Sequence, residues 1–322
     1  MKGKNKIVLG AVLLSSAGSV LTSCHHKELV YPDASRTRLE VVFDWCNAPE
    51  ADPSSMAFYL YDRNGGSPVR FIFQNKEGGS IHVPAGDYFA MCLNADLTDW
   101  AVIEREDAID AYKVSTLDAT QLTAMGISTR GIPRAPESET ERMASTPGML
   151  WSFRRDDVSL PVTYERMKIV MYPEEKVCHY TVDVYTTDDI AEYSGGVDAT
   201  LSGMAEGYMT GAEKTTEEKV THPFHLLPDA SDGCLRSEFL TFGETPSGGK
   251  HYVSIYMIDS EGKGRNFNVD VTDQVSKAPD PRHVHIVIHR IDLPEPHTEQ
   301  TGMGGLQPDV ENWESVNITL HM

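Results

Sequence analysis

The sequence predicts an all-β protein made of two tandem β-sandwich domains behind a cleavable leader. Three observations lead there. Apolar residues alternate with polar ones through most of the 322 residues, which is the period of half-buried strands. Turn signals built from Gly, Pro and Asn separate these runs, and helical periodicity is scarce. The length suits about two domains at roughly 150 residues each.

The first element is residues 1–23. Lys2, Lys4 and Lys6 precede a mostly apolar run over residues 7–21, the pattern of a secretory signal peptide and too short for a comfortable bilayer span. Leu21-Thr22-Ser23-Cys24 resembles the processing site of bacterial lipoproteins, with Cys24 as the acylated residue. Cleavage there leaves 322 − 23 = 299 residues and takes the net charge from −20 to −23, because three lysines leave. The lipid would then be the membrane anchor. His25-His26-Lys27-Glu28 place no aspartate next to Cys24, which favours the outer membrane by resemblance to lipoprotein sorting rules.

An N-terminal sandwich is expected over residues 24–160. Leu39, Val41, Phe43 and Trp45 share one strand parity; Met56, Phe58 and Leu60 repeat it, as do Val69, Phe71 and Phe73 after the turn Asn64-Gly65-Gly66. Ile81 and Val83 lead through the Pro84-Ala85-Gly86 turn into a strand begun by Tyr88. That arrangement resembles transthyretin-like sandwich modules. Alternation lapses over residues 117–150, read as an exposed loop with one short helix near 117–125. Arg130, Arg134 and Arg142 in it are candidate sites of proteolytic nicking, set against a plain solvated linker.

A second sandwich is expected over residues 161–293, with the boundary near Pro161. Its strands carry Met167, Ile169 and Met171, then residues 178–184, 235–242, 252–258 and 267–271, with Asn266, Asn268 and Asp270 outward, and finally Val284, Ile286 and Ile288. Residues 294–322 form the last unit: a Pro/Gly-rich connector followed by Val316, Ile318, Leu320 and Met322 alternating with polar residues.

Composition excludes several functions. With 48 Asp+Glu against 28 Lys+Arg, the chain lacks the basic surface that phosphate backbones require, so nucleic acid is not a partner. No Gly-x-Ser-x-Gly elbow, His-Glu-x-x-His pair or phosphate loop occurs, so no enzyme and no cofactor is predicted. Cys46, Cys92, Cys178 and Cys234 are compatible with two disulfides in an exported protein, but strand parity favours buried free thiols. His283, His285 and His289 share one strand parity and are the weak candidate for a metal site; a solvated sheet face is the simpler role, since no carboxylate lies near in sequence.

Several longer segments carry a family resemblance. Ser23-Cys24-His25-His26-Lys27-Glu28-Leu29, Val41-Val42-Phe43-Asp44-Trp45, Val83-Pro84-Ala85-Gly86-Asp87-Tyr88, Pro147-Gly148-Met149-Leu150-Trp151, Tyr172-Pro173-Glu174-Glu175-Lys176-Val177-Cys178-His179-Tyr180-Thr181-Val182 and Ala278-Pro279-Asp280-Pro281-Arg282-His283-Val284-His285-Ile286-Val287 together resemble a family of Bacteroides-type lipoproteins. Its architecture resembles that of the fimbrillins and fimbrial-anchor proteins of the Bacteroidales. The resemblance implies tandem transthyretin-like sandwiches, a lipid-anchored place on the outer membrane or cell surface, and fimbrial subunits or other surface proteins as partners. It also implies assembly by β-strand addition, for which Val316, Ile318, Leu320 and Met322 are the candidate donor strand. The alternative is that this strand folds back on its own domain. A glycan-binding surface lipoprotein is the second function, with Trp100, Tyr59 and Tyr61 as exposed aromatics available to sugar rings.

Overall fold

The structure, a computed structural model, describes residues 36–122, 125–187, 189–294, 296 and 313–318. Along the first half run β1 (Arg36–Phe43), β2 (Met56–Asp62), β3 (Val69–Phe73), β4 (Gly78–Pro84), β5 (Gly86–Asn94), β6 (Ala101–Glu104), β7 (Lys113–Thr116), β8 (Arg142–Met143), β9 (Trp151–Leu160) and β10 (Met167–Met171). After them come β11 (Glu174–Glu175), β12 (Cys178–Thr186), β13 (Val197–Ala205), β14 (Gly207–Met209), β15 (Lys214–Thr215) and β16 (Lys219–Asp229). The series ends with β17 (Cys234–Thr241), β18 (Tyr252–Ile258), β19 (Gly264–Asp270), β20 (His283–Ile291) and β21 (Trp313–Ile318). The fold is mostly β, in several sheets, as the alternation predicts.

The first core lies between a sheet ordered β10-β1-β4 and one ordered β11-β9-β5-β2-β3. Leu39, Val41 and Phe43 point inward from β1, and Met56, Phe58 and Leu60 from β2. Both sets follow the period of two that a pleated strand imposes. Strand β10 runs parallel to β1, with Leu39 opposite Met167 and Phe43 opposite Met171, so Ile169 and Met171 complete this core although they follow Leu160.

The other face of the five-stranded sheet is covered as well. A small sheet ordered β15-β14-β7-β6 packs there, and Tyr59, Tyr61, Met91, Leu93, Tyr112, Val114 and Phe242 form the second core. Both faces of β2 are therefore buried, from Met56 through Tyr61. Strands β6 and β7 precede Pro161 and β14 and β15 follow it, so this sheet draws on both halves of the chain.

The remaining strands form a nine-stranded sheet ordered β20-β12-β17-β16-β13-β18-β19-β21, with β8 alongside β16. Strand β16 changes partner along its length, pairing with β13 as far as Leu226 and with β17 from Leu227. The two halves joined there share one core, including Val182, Leu201, Leu226, Leu235, Ile255, Val269 and Ile286. Between Leu201 and Met204 the β13 ladder slips. Gly203 sits at that slip with φ +82°, and an added Cβ would strike the Lys250 carbonyl.

Four expectations are corrected. No helix forms in the described part of 117–125; the segment is held by bridges pairing Asp118 with Ala144 and Gln121 with Ser128. The loop over 117–150 is packed against the nine-stranded sheet. Its Leu122, Ile132 and Met143 cluster with Tyr256, the Tyr256 hydroxyl donates to Pro133 O at 2.8 Å, and Met125 N donates to Asp198 Oδ2 at 2.9 Å. These apolar anchors are spaced too irregularly to reveal themselves as a periodic element. Between β18 and β21, Asn266 and Asn268 of β19 are buried, at 0% and 3% exposure, where alternation placed them outward. Finally, all four described cysteines are free, but Cys46 is exposed instead of buried.

Candidate functional site

The free edge of the nine-stranded sheet is the place where the candidate donor strand meets the body. Strand β21 runs parallel to β19, from Gly264 opposite Trp313 to Val269 opposite Ile318. It stands at the end of the sheet order, and Glu314, Ser315, Val316 and Asn317 are exposed. In this structure the strand therefore folds back on its own chain. Leu320, Met322 and the lipidation candidate Cys24 lie outside the described residues.

Few contacts hold β21 beyond its backbone ladder. Trp313 sets its ring edge-on against Tyr256, 5.7 Å between centroids at 88°, and Ile318 rests on the main core. Asn317 Oδ1 accepts from Asn268 Nδ2 at 3.0 Å. Glu314 pairs with Lys263 and Arg265, and the Lys263 hydrogen bond, followed by the Arg265 charge, holds its carboxyl below the ordinary range. Opposite Ser315, the buried Asn266 has no hydrogen-bond partner at either amide atom. This strip of Tyr256, Asn266 and Asn268 was invisible to alternation, which showed only the apolar parity of Val316 and Ile318 in the strand laid beside it. Such an edge can give or take a strand through main-chain hydrogen bonds.

The histidines of β20 do share one exposed face, as parity predicts, but each has its own partner. His283 Nδ1 lies 2.9 Å from Asp280 Oδ2 and its ring stacks on His179 at 5.1 Å. His285 Nε2 lies 2.8 Å from Asp183 Oδ2, while His289 stacks on Tyr185 at 5.0 Å. Asp183 is also gripped by both arms of Arg236, at 2.7 and 2.9 Å, and this guanidinium is the main cause of its lowered pKa. Among the described residues no three His, Cys, Asp or Glu side chains converge as metal ligands.

Tyr59, Tyr61 and Trp100 do not form an exposed aromatic face for sugar rings. Tyr59 is 1% and Tyr61 5% exposed, because the third sheet covers their face of β2. Their hydroxyls serve the interior: Tyr59 lies 3.1 Å from the Tyr112 hydroxyl, and Tyr61 donates to Glu106 O at 3.0 Å. Burial raises the pKa of both phenols. Trp100 is half-buried, packed near Phe242.

Known proteins share this architecture. The candidate fimbrium anchoring subunit Fim4B of Bacteroides ovatus is 20% identical over 94% of this chain and 95% of its own length. A solved structure of a candidate adhesin from Bacteroides ovatus superposes with a TM-score of 0.58 at 19% identity, covering 86% of this chain and 100% of that one. A candidate polysaccharide binding protein from Bacteroides thetaiotaomicron gives a TM-score of 0.52 at 12% identity, over 80% and 92% of the two chains. At these identities the superpositions establish the fold, and Fim4B is a distant homologue over nearly its whole length. The family described as a domain of unknown function, DUF5119, matches residues 23–225, and this chain belongs to it.

Proposed function

We propose that this protein is a lipid-anchored structural or adhesion protein of the outer membrane or cell surface, serving as a fimbrium anchor or accessory subunit. Cys24 carries the lipid, and fimbrial subunits are the partners. The observation that carries the reading is β21: a strand near the end of the chain, laid on a free sheet edge with most of its side chains in solvent. A strand so placed can be exchanged for a partner's, or lent to one, without dismantling a core. The near full-length similarity to Fim4B supports the same role. Within this reading the first core and the core of the nine-stranded sheet correspond to tandem transthyretin-like sandwiches, and the candidate donor residues are Val316, Ile318, Leu320 and Met322.

The test is removal of residues 314–322 from the full chain, followed by capture of fimbrial subunits from cells and a thermal unfolding curve. The truncated protein is expected to unfold cooperatively and to capture none. Undiminished capture, or loss of cooperative unfolding, refutes the role given to the strand. Independently, Cys24→Ala is expected to move the protein out of the membrane fraction; retention there refutes the anchor.

A further inference from the structure

The three arginines of residues 117–150, Arg130, Arg134 and Arg142, line one pocket. Its volume is about 410 Å3, within the range of small-molecule sites. Backbone and hydroxyl hydrogen bonds stitch its walls together: Ala119 N to Met143 O at 3.1 Å, Thr129 N to Thr120 O at 3.0 Å, and Thr129 Oγ1 to Ala119 O at 2.8 Å. A cavity fixed in this way binds without first having to be ordered.

The charges in it are unequal in kind. Arg142 is already engaged, by Asp118 at 2.7 Å and Glu206 at 3.1 Å. Arg130 and Arg134 both line the pocket, and among the described residues neither forms an ion pair. Elsewhere in this acidic chain Arg154, Arg236 and Arg265 each hold a carboxylate. Two uncommitted guanidinium groups beside one cavity leave donors that an oxyanion would satisfy, in the planar geometry that suits a carboxylate. Thr120, Gln121 and Ser128 add hydroxyl and amide groups to the lining, while Ala119 and Met143 are its apolar members.

We propose that this pocket binds an acidic sugar residue, Arg130 and Arg134 taking its carboxylate and the polar side chains its hydroxyls. The volume has room for a sugar ring, and the hydroxyl and amide side chains of Thr120, Gln121, Ser128 and Thr129 outnumber the apolar Ala119 and Met143 in the lining, which suits a ligand rich in hydroxyls. The proposal is independent of strand assembly, since deletion of 314–322 and loss of sugar binding are scored separately.

Titration calorimetry of the purified full chain with glucuronate, glucose, inorganic sulfate and N-acetyl-aspartate amide tests it. Glucuronate is expected to bind and glucose not, with Arg130→Gln and Arg134→Gln each weakening glucuronate by about tenfold or more. Arg130 is exposed, so Arg130→Gln gives a reading even where Arg134→Gln misfolds. Absence of glucuronate binding up to about 10 mM, or binding indifferent to Arg130→Gln, overturns the proposal. Sulfate or the aspartate amide binding as tightly as glucuronate overturns the assignment to a sugar.

Discussion

Replacing Trp313 by alanine isolates the energetics of the terminal strand. Ordering six residues costs about 1–2 kcal/mol each in backbone entropy, whereas a ladder hydrogen bond returns a net ~1 kcal/mol and exposed ion pairs such as Glu314 with Lys263 about 0–1 kcal/mol. The strand therefore depends on its two anchors, Trp313 and Ile318. The indole is half-buried against Tyr256; removing roughly 100 Å2 of apolar contact at ~25 cal/mol/Å2, with the edge-to-face pairing, amounts to about 2 kcal/mol once partial exposure is allowed for. Opening of β21 should then become about thirtyfold more frequent. Hydrogen exchange read by mass spectrometry compares amides of residues 313–318 with those of β12, whose Val182 lies in the main core. Acceleration confined to 313–318 is expected. Equal acceleration in both, or none in either, would show that β21 is not a separate opening unit, and the case for strand exchange would fall with it.

Three further outcomes follow from buried groups. Glu141 Oε2 accepts from Gly203 N at 3.0 Å and Thr221 Oγ1 at 2.7 Å, yet burial raises its pKa, so the folded state favours the proton. Its contribution is full below the ordinary carboxylate pKa and is lost as pH rises through the folded value. At pH 8 Glu141→Gln should match or exceed the parent melting temperature while Glu141→Ala loses about 1–3 kcal/mol; equal losses would contradict this. His222 titrates with the opposite sign. It is wholly buried, its Nδ1 donates to Ala144 O at 2.8 Å, and desolvation lowers its pKa to about 4. The fold should thus lose up to about 3 kcal/mol as pH falls from 6.5 to 4, and His222→Gln should flatten the melting profile there; an unchanged slope argues against it. Of the four described cysteines, exposed Cys46 should take maleimide in the native protein, whereas buried Cys92 and Cys234 should react only after denaturation. Burial raises the Cys92 thiol and brings Cys178 to about 11, so both are poor nucleophiles at neutral pH. Native labelling of Cys92 would mean that the first core is open.

Strands were legible wherever one face met a core and the other met water. Leu39, Val41 and Phe43 alternate for that reason, and so do Val284, Ile286 and Ile288. The rule failed where a second layer covered the outer face. Tyr59 and Tyr61 read as solvent-facing because nothing local announces the sheet that buries them, and part of that sheet lies about 150 positions further on, at β14. Asn266 and Asn268 misled for the same reason: their polarity fits an exposed parity, but both are buried and a distant strand lies alongside them. The parity of His283, His285 and His289 was readable, but the expectation that no carboxylate lies near in sequence overlooked Asp280, three positions before His283, and the His285 partner Asp183 is about 100 residues away. The arginine pocket was half legible. The three residues stood out, but their convergence depends on backbone bonds between 118–121, 128–130 and 142–144 that carry no sequence signature.

The parallel pairing of β1 with β10 bears on how the molecule carries tension. Any tether upstream of Arg36 draws β1 towards its N-terminal end, and a load arriving from the later sheets draws β10 towards its C-terminal end. Because the two strands point the same way, these pulls oppose each other along a common axis, and the interstrand bonds are loaded together in shear. An antiparallel hairpin gripped at its open end would instead unzip one bond at a time. The five paired positions from Leu39 to Phe43 thus form a mechanical clamp between a tether placed before Arg36 and whatever pulls on the rest of the chain.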